Sequence, residues 1–192
     1  MKEEAKKQDI RLTLLSFVIK AVTQALQKFP DFNASISENQ EDLVHKKYYN
    51  IGFAANTPRG LLVPVVKNAD QKDVLTIAKE LGGLSAVARD GKIKLEAMQG
   101  GTFTVSSLGG LGGTGFTPII NAPEVAILGI SKAKVKPVHI NGQFLPRLIL
   151  PLSLSYDHRV ADGVAGIQFT SLLKSLLEDP ETLIGKSESI ND

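Results

Sequence analysis

The chain has 192 residues, enough for one domain with a substantial core but short for two. Its 43% hydrophobic and 22% charged residues are ordinary for a globular protein, and a net charge of +2 gives no indication of a nucleic-acid partner. The lack of cysteine excludes disulfides, thiol nucleophiles and cysteine zinc sites, and three histidines spaced unlike a known ligand set predict no metal.

The N-terminal region predicts one amphipathic helix behind a charged start. Residues 1–7 carry a run of charges, which predicts a solvated or frayed segment and no signal peptide. Apolar residues at helical spacing predict a helix over 13–29, capped by Thr13. Lys20 and Gln24 keep every apolar run below the roughly 18 residues of a membrane span, so no membrane partner is expected. The residues expected to face the core are Leu15, Val18, Ile19, Val22, Leu26 and Phe29.

Strands dominate the middle of the chain. Apolar runs predict strands at 43–49, 50–55 and 61–66, with a turn at 58–60. Asp73 is expected to cap a second helix that runs toward Arg89.

The second half predicts five more strand segments, two of them paired as a hairpin, and a final helix. The strands fall at 102–108, 125–130, 135–140 with 143–150, and 152–156. Asn141-Gly142 supplies a two-residue hairpin turn, and Asp162 lies where a cap for a helix over 164–177 belongs. Its core-facing residues are expected to be Ile167, Leu172, Leu173, Leu176 and Leu177. The order of elements predicts an α+β fold, with a layer of helices against a mostly antiparallel or mixed sheet, and argues against a doubly wound fold.

A glycine-rich stretch at 110–115 fits the G-x-G-x-x-G pattern of dinucleotide sites literally. Such a site needs a helix that opens at the third glycine and holds the pyrophosphate at its N-terminus. Phe116, Pro118 and Pro123 follow instead, which predicts a loop and no nucleotide site.

His158 lies between an apolar strand and a helix, where a side chain can be held at the edge of a cleft. An imidazole with an ordinary pKa near 6.5 is largely neutral at physiological pH and can accept a proton. From the residues alone, however, a single histidine beside charged neighbours is more often structural than catalytic.

A resemblance to a known family decides between these readings. The segment 157–163, Asp-His-Arg-Val-Ala-Asp-Gly, resembles the signature of the dihydrolipoyl acyltransferases of 2-oxo acid dehydrogenase complexes. Blocks at 57–65, 98–107 and 121–129 match the same family in the same order, so the resemblance covers most of the chain. The segments 106–109 and 150–156 look closest to the acetyltransferases of pyruvate complexes.

The resemblance implies a fold, a reaction and an assembly. The fold would be chloramphenicol-acetyltransferase-like, a mixed sheet packed against helices. His158 would be the general base on the thiol of coenzyme A, Ser106 would stabilise the tetrahedral oxyanion, and Asp162 would have a part catalytic, part structural role. The chain would form trimers with the site between subunits, and a larger cubic or dodecahedral core. Arg159 is expected to be structural, and His45 and His139 to be surface residues.

The resemblance also implies partners outside this chain. Residues 1–192 read as a single catalytic domain truncated at its N-terminus, without the lipoyl domain that carries the second substrate. The domain that binds the decarboxylase and dihydrolipoyl dehydrogenase components is likewise expected to be absent. The expected location is the bacterial cytoplasm or, alternatively, the mitochondrial matrix. Two other functions stay open: a coenzyme A acyltransferase with a small-molecule acceptor, and an inactive structural core. The transferred group is expected to be acetyl, with succinyl or branched-chain acyl as alternatives.

Overall fold

The structure is a computed structural model that describes residues 1–110 and 112–184. Its helices are α1 (Lys2–Lys7), α2 (Leu14–Lys28), α3 (Val74–Arg89), α4 (Gly163–Glu178) and α5 (Pro180–Ile184). Its strands are β1 (Ala34–Ile36), β2 (Leu43–His45), β3 (Ile51–Phe53), β4 (Ala55–Thr57), β5 (Gly60–Leu62), β6 (Val65–Val66), β7 (Phe103–Ser107), β8 (Ala126–Ile130), β9 (Lys134–Ile140), β10 (Gln143–Ile149) and β11 (Leu152–Tyr156). Over these residues, the search for a helix long and apolar enough to cross a membrane finds none.

A five-stranded mixed sheet in the order β11-β8-β7-β3-β6 forms the centre of the molecule. Strands β3, β7 and β8 are parallel to one another, and β6 and β11 run antiparallel at the two edges. Alternate residues of β7, Phe103 and Val105, are fully buried in the same core as Val18 and Leu26 of α2 and Phe169 of α4. Helices therefore cover one face of the sheet, and the predicted α+β arrangement with a mixed sheet is confirmed.

Helix α2 follows the predicted apolar spacing. Val18, Ile19, Val22 and Leu26 are all fully buried, while Leu15 and Phe29 pack against the same core from its edge. Thr13 occupies the N-cap position, but its side chain makes no capping bond. The Ser16 hydroxyl instead donates to the Thr13 carbonyl at 2.7 Å.

Several predicted boundaries are wrong, for identifiable reasons. The charged start is helix α1, in which Ala5 is buried at 2% exposure while the charged residues lie on the surface. The strand predicted at 43–49 ends at His45, since the Asn33 side chain donates to the carbonyls of Lys46 and Tyr48 and replaces a strand partner. The run at 61–66 divides into β5 and β6 at Pro64, which has no N–H for a sheet ladder.

The run at 50–55 likewise divides, into β3 and β4. Strand β1, which pairs with β2, was not predicted.

The hairpin and the glycine-rich loop agree with their predictions. Strands β9 and β10 pair antiparallel through Asn141 and Gly142, both with positive φ as a type I′ turn requires. No helix begins in the described residues 112–123. Phe116 instead folds over the sheet, where a Cβ at Gly129 would meet its ring at 2.8 Å.

One residue that was predicted to face the core lies on the surface instead. Ile167 of α4 is 69% exposed, because the helix buries the stripe of Gly166, Phe169 and Leu173 instead. Other large apolar side chains with more than three-fifths of their surface exposed are Leu61, Leu95, Ile119, Val135, Phe144, Leu148 and Val164.

Phe169 joins the elements that meet below the site. Its ring lies 4.7 Å from that of Phe32 and 5.9 Å from those of Phe29 and Phe103, centroid to centroid. We expect Phe169→Ala to lower the free energy of unfolding by about 3–5 kcal/mol, the usual loss for a fully buried phenylalanine. Gln168→Ala, one position away on the exposed face of α4, is the matched control and should change it by less than about 0.5 kcal/mol. Chemical denaturation of both variants provides the comparison, and equal losses would contradict this packing.

Candidate active site

His158 lies in a tight turn between β11 and α4. The Asp157 amide donates to the Val125 carbonyl at 2.8 Å, which fixes the start of the turn to the strand entering β8. The Asp157 carbonyl then accepts from the amides of Val160 and Ala161 at 2.9 and 3.1 Å. His158 is exposed at the tip of this turn, with its ring centroid 6.0 Å from that of Tyr156. The imidazole is therefore held on a fixed backbone and remains open to a ligand.

Arg159 stabilises the turn from within. Its guanidinium contacts both carboxylate oxygens of Asp157, with Nη2 to Oδ2 at 2.6 Å and Nε to Oδ1 at 3.0 Å. The hydrogen bonds from Arg159 hold the pKa of Asp157 below its usual range. The structural role predicted for Arg159 fits this pairing.

Asp162 closes the turn and begins α4. Its Oδ1 accepts from the Ala165 amide at 2.8 Å, so the predicted N-cap is confirmed. A carboxylate there also faces the positive end of the helix dipole. Helix α4 passes close to Tyr156 at Gly166, where an added Cβ would lie 2.9 Å from the Tyr156 ring.

An open cavity of about 420 Å³ adjoins the turn. It is lined by Asp31, His158, Arg159, Val160, Ala161, Asp162 and Ala165. Asp31 was not among the predicted site residues, and nothing in its sequence surroundings marks it. Its carboxylate pairs with the ring of His45 at 2.8 Å, so that surface histidine lies near the cavity.

Ser106 lies near the carboxyl end of β7, half-buried, on the face of the sheet turned away from the helices. Its neighbours Phe103 and Val105 point into the core, and side chains alternate along a strand. Across the sheet Ser106 is level with Gly129 of β8, which is in turn level with Ser153 of β11. Ser106 thus aligns with the beginning of β11, whereas His158 follows its end.

This register separates Ser106 and His158 within one chain. Tyr156, the last residue of β11, is level with Ala126 at the beginning of β8. Three residues of strand and two inter-strand spacings place the Cα atoms of Ser106 and Tyr156 about 14 Å apart, and His158 lies beyond Tyr156. One chain therefore brings His158 and Asp162 together but leaves Ser106 at the opposite end of the sheet.

A buried carboxyl, Glu124, lies at the His158 end of the sheet and was missed from the sequence. It immediately precedes the strand residues Val125 and Ala126, and only 8% of it is exposed. Its Oε1 accepts a long hydrogen bond of 3.5 Å from the Asn121 side-chain amide. Its Oε2 and the nearby Thr104 hydroxyl lack a hydrogen-bond partner among the described residues. The sequence signal that could have identified Glu124 is a charged residue at the start of an apolar strand, within the family-matching block 121–129.

Burial gives Glu124 unusual acid–base behaviour. Removal from water raises the pKa of its carboxyl from 4.5 to about 7, and the nearby Thr104 hydroxyl and Asn121 amide oppose the rise. Within residues 1–110 and 112–184, no group of three or more potential metal-ligating side chains is close enough to hold a metal ion.

Comparison with known proteins identifies close relatives. Residues 1–185 match the family model of the 2-oxoacid dehydrogenases acyltransferase catalytic domain. The chain is 58% identical over 179 residues to the dihydrolipoyllysine-residue acetyltransferase component of the pyruvate dehydrogenase complex of Cupriavidus necator. That alignment covers 93% of this chain but 32% of the relative, so the chain spans about a third of the curated relative's length.

Solved structures show the same likeness. The chain superimposes with a TM-score of 0.93 and 52% identity on Azotobacter vinelandii dihydrolipoamide acetyltransferase, covering 96% of this chain and 76% of that one. The same values hold for the cubic core of a pyruvate dehydrogenase multienzyme complex. Chloramphenicol acetyltransferase, at 16% identity and a TM-score of 0.60 over 92% of this chain and 82% of that one, shares the fold, as predicted.

The Azotobacter vinelandii enzyme provides a test of residue spacing. It was investigated for the role of a serine, a histidine and an asparagine in its catalytic mechanism, with 52 positions from serine to histidine and 4 from histidine to asparagine. Ser106, His158 and Asp162 have the same two spacings. The present chain carries an aspartate where the relative has asparagine.

The pKa of Glu124 makes stability depend on pH in a defined direction. The folded chain keeps a proton that the unfolded chain loses, so the stability of the parent should fall as pH rises from about 4.5 to about 7. The shift corresponds to roughly 3 kcal/mol at most. Glu124→Gln cannot ionise, so its free energy of unfolding should rise relative to the parent by up to that amount between about pH 5 and pH 8. Urea denaturation across this range measures the difference, and a difference independent of pH would refute the assignment.

Proposed function

Because this chain belongs to the family of 2-oxoacid dehydrogenase acyltransferases, we propose that it is the catalytic domain of a dihydrolipoyllysine-residue acetyltransferase. It transfers an acetyl group between the dihydrolipoyl arm of a separate domain and coenzyme A. Coenzyme A and the lipoyl arm are both substrates, and the chemistry uses no metal. Its location is the bacterial cytoplasm, in line with the bacterial source of the relative.

One observation carries this proposal. Ser106, His158 and Asp162 match the spacing of the serine, histidine and asparagine investigated in a relative that is 52% identical. The fold surrounds His158 with backbone hydrogen bonds at Asp157 and a side-chain cap at Asp162, which together fix an exposed imidazole beside an open cavity.

His158 acts as the general base in the proposed mechanism. Its imidazole removes the proton from the coenzyme A thiol, whose acidity is close to that of a cysteine. The thiolate attacks the carbonyl carbon of the acetyl thioester on the lipoyl arm, which forms a tetrahedral oxyanion. The intermediate then expels the dihydrolipoyl thiolate, which takes the proton from His158. No covalent acetyl-enzyme is required.

Ser106 stabilises the oxyanion from a neighbouring subunit. A hydroxyl that donates to the developing negative charge lowers the barrier more than it strengthens ground-state binding. Because one chain holds Ser106 and His158 at opposite ends of its sheet, a complete site requires His158 of one subunit and Ser106 of the next. Holding both flexible substrates between subunits supplies much of the effective concentration.

Self-association follows from the same proposal. Exposed apolar side chains on the β9–β10 hairpin (Val135, Phe144 and Leu148) and on α4 (Val164 and Ile167) would be covered in a trimer. Trimers would build a larger core, cubic as in the solved relative or dodecahedral. The decarboxylase and dihydrolipoyl dehydrogenase components would join through other domains.

The role of His158 can be tested by replacement. We expect His158→Ala to lower turnover by roughly 10²–10⁴-fold with dihydrolipoamide and acetyl-coenzyme A, and to leave coenzyme A affinity unchanged. We expect Ser106→Ala to lower turnover by about 10²–10³-fold, with Michaelis constants close to those of the parent.

Steady-state kinetics and coenzyme A titration measure both effects. Ser85→Ala, on helix α3 and outside the predicted site residues, is the matched control and should retain parental turnover. Turnover of His158→Ala within a few-fold of the parent would refute the general-base assignment. A change in Michaelis constants without a change in turnover would instead make Ser106 a binding residue.

A further inference from the structure

Glu124 places a carboxyl in the interior of the fold, where an apolar side chain would cost less free energy to bury. A Cβ at Gly101 would lie 2.8 Å from Glu124 Oε1, and a Cβ at Gly52 would lie 2.9 Å from the Thr104 hydroxyl. Glycine at both positions therefore leaves the space that the carboxyl and hydroxyl occupy. Because a buried polar group without full hydrogen bonding is destabilising, stability alone does not account for Glu124.

A short covalent and hydrogen-bonded path joins Glu124 to the His158 turn. The Glu124 backbone amide donates to the Asn121 backbone carbonyl at 3.1 Å. The Asn121 side-chain amide in turn donates to Glu124 Oε1 at 3.5 Å, so the two residues close a turn before β8. The next residue, Val125, supplies the carbonyl that accepts the Asp157 amide at 2.8 Å. Val125 itself is buried, so its carbonyl can move only if this segment moves.

We propose that Glu124 is a positioning residue for the transfer reaction, whose buried carboxyl fixes the Val125 carbonyl to which the His158 turn is bonded. This inference rests on the proposed function, since it assigns Glu124 to the orientation of the general base. Glu124 touches neither substrate and acts through Val125 and Asp157.

Among the residues that the structure describes, no charged group on a neighbouring element forms an ion pair with the Glu124 carboxyl. Lys67 lies beside Gly100, but its Nζ donates to the Gln99 carbonyl. Asp157, on the other side of Val125, is paired with Arg159. A neutral carboxyl suits this recess because it can both accept from Asn121 and donate toward Thr104. A raised pKa keeps much of Glu124 in that neutral form near pH 7.

Three variants of the assembled protein separate positioning from general stability. Glu124→Gln keeps the shape and a donor–acceptor pair, whereas Glu124→Leu keeps bulk and removes both. Thr23→Val is the matched control, because Thr23 is also buried and bonded, to the Lys20 carbonyl within α2 at 2.8 Å. Circular dichroism checks that each variant is folded, and sedimentation checks that it assembles as the parent does. The comparison is made under conditions where both hold for every variant.

Hydrogen–deuterium exchange of a peptide covering 153–161 reports the turn directly, because the Asp157 amide then lies well inside the peptide. We expect Glu124→Leu to accelerate exchange at the Asp157 amide by at least about ten-fold, through loss of a fixed acceptor, and Glu124→Gln and Thr23→Val to leave it within about two-fold. If Glu124→Leu does not fold, Glu124→Met keeps an unbranched side chain without the carboxyl and should accelerate exchange in the same peptide. Unchanged exchange in the folded variant, or equal acceleration in Thr23→Val, overturns the proposal.

Turnover provides the second measurement. We expect Glu124→Leu to lower kcat by at least about ten-fold with an unchanged KM for coenzyme A, and Glu124→Gln to retain kcat within about three-fold. A parental kcat in Glu124→Leu overturns the positioning role. If the unmutated protein transfers no acetyl group, the proposed function fails, while the exchange measurement still decides whether Glu124 fixes the turn.

Discussion

The backbone pairing of β11 with β8, and of β8 with β7, determines where each candidate residue lies. The parallel pair places Ser106 level with Gly129, and the antiparallel return places Tyr156 level with Ala126. A shift by one residue would turn Ser106 toward the helices, since alternate residues face opposite sides of the sheet. The same ladder leaves His158 and Ser106 at opposite ends, so a site that needs both must use two chains.

The core fixes this ladder, and the turn at His158 is built on it. Phe169 holds α4 against Phe103 of β7 and against Phe32, which lies in the 3₁₀ turn Pro30–Asn33. These contacts place the N-terminus of α4 beside the end of β11. Asp162 then caps that helix while Val125 anchors Asp157, so the histidine turn is tied at both ends. Stability of the fold and placement of His158 thus share the same contacts.

Local patterns made much of the fold predictable. Helical spacing identified α2, Asn141-Gly142 identified the hairpin, and Asp162 was recognised as a cap because each signal acts within a few residues. The error at Ile167 arose because helical spacing alone does not show which apolar stripe of α4 packs against the sheet, and the helix buries Gly166, Phe169 and Leu173 instead. Asp31 and Glu124 were missed because lining a cavity or filling a recess left by glycines depends on residues distant in sequence. The candidate residues themselves came from family resemblance, since a single histidine carries no such information.

The central claim is that His158 and Ser106 meet only between subunits. The chain has no cysteine, so Ser106→Cys combined with His158→Cys introduces two thiols without a background. The double variant is treated with a thiol crosslinker shorter than roughly 14 Å, the separation that strand geometry sets between Ser106 and the end of β11 within one chain. The masses of the denatured products are then measured. The account predicts covalently joined dimers and trimers, with the two cysteine peptides linked across chains. Products that stay monomeric, with both peptides linked inside one chain, would contradict it.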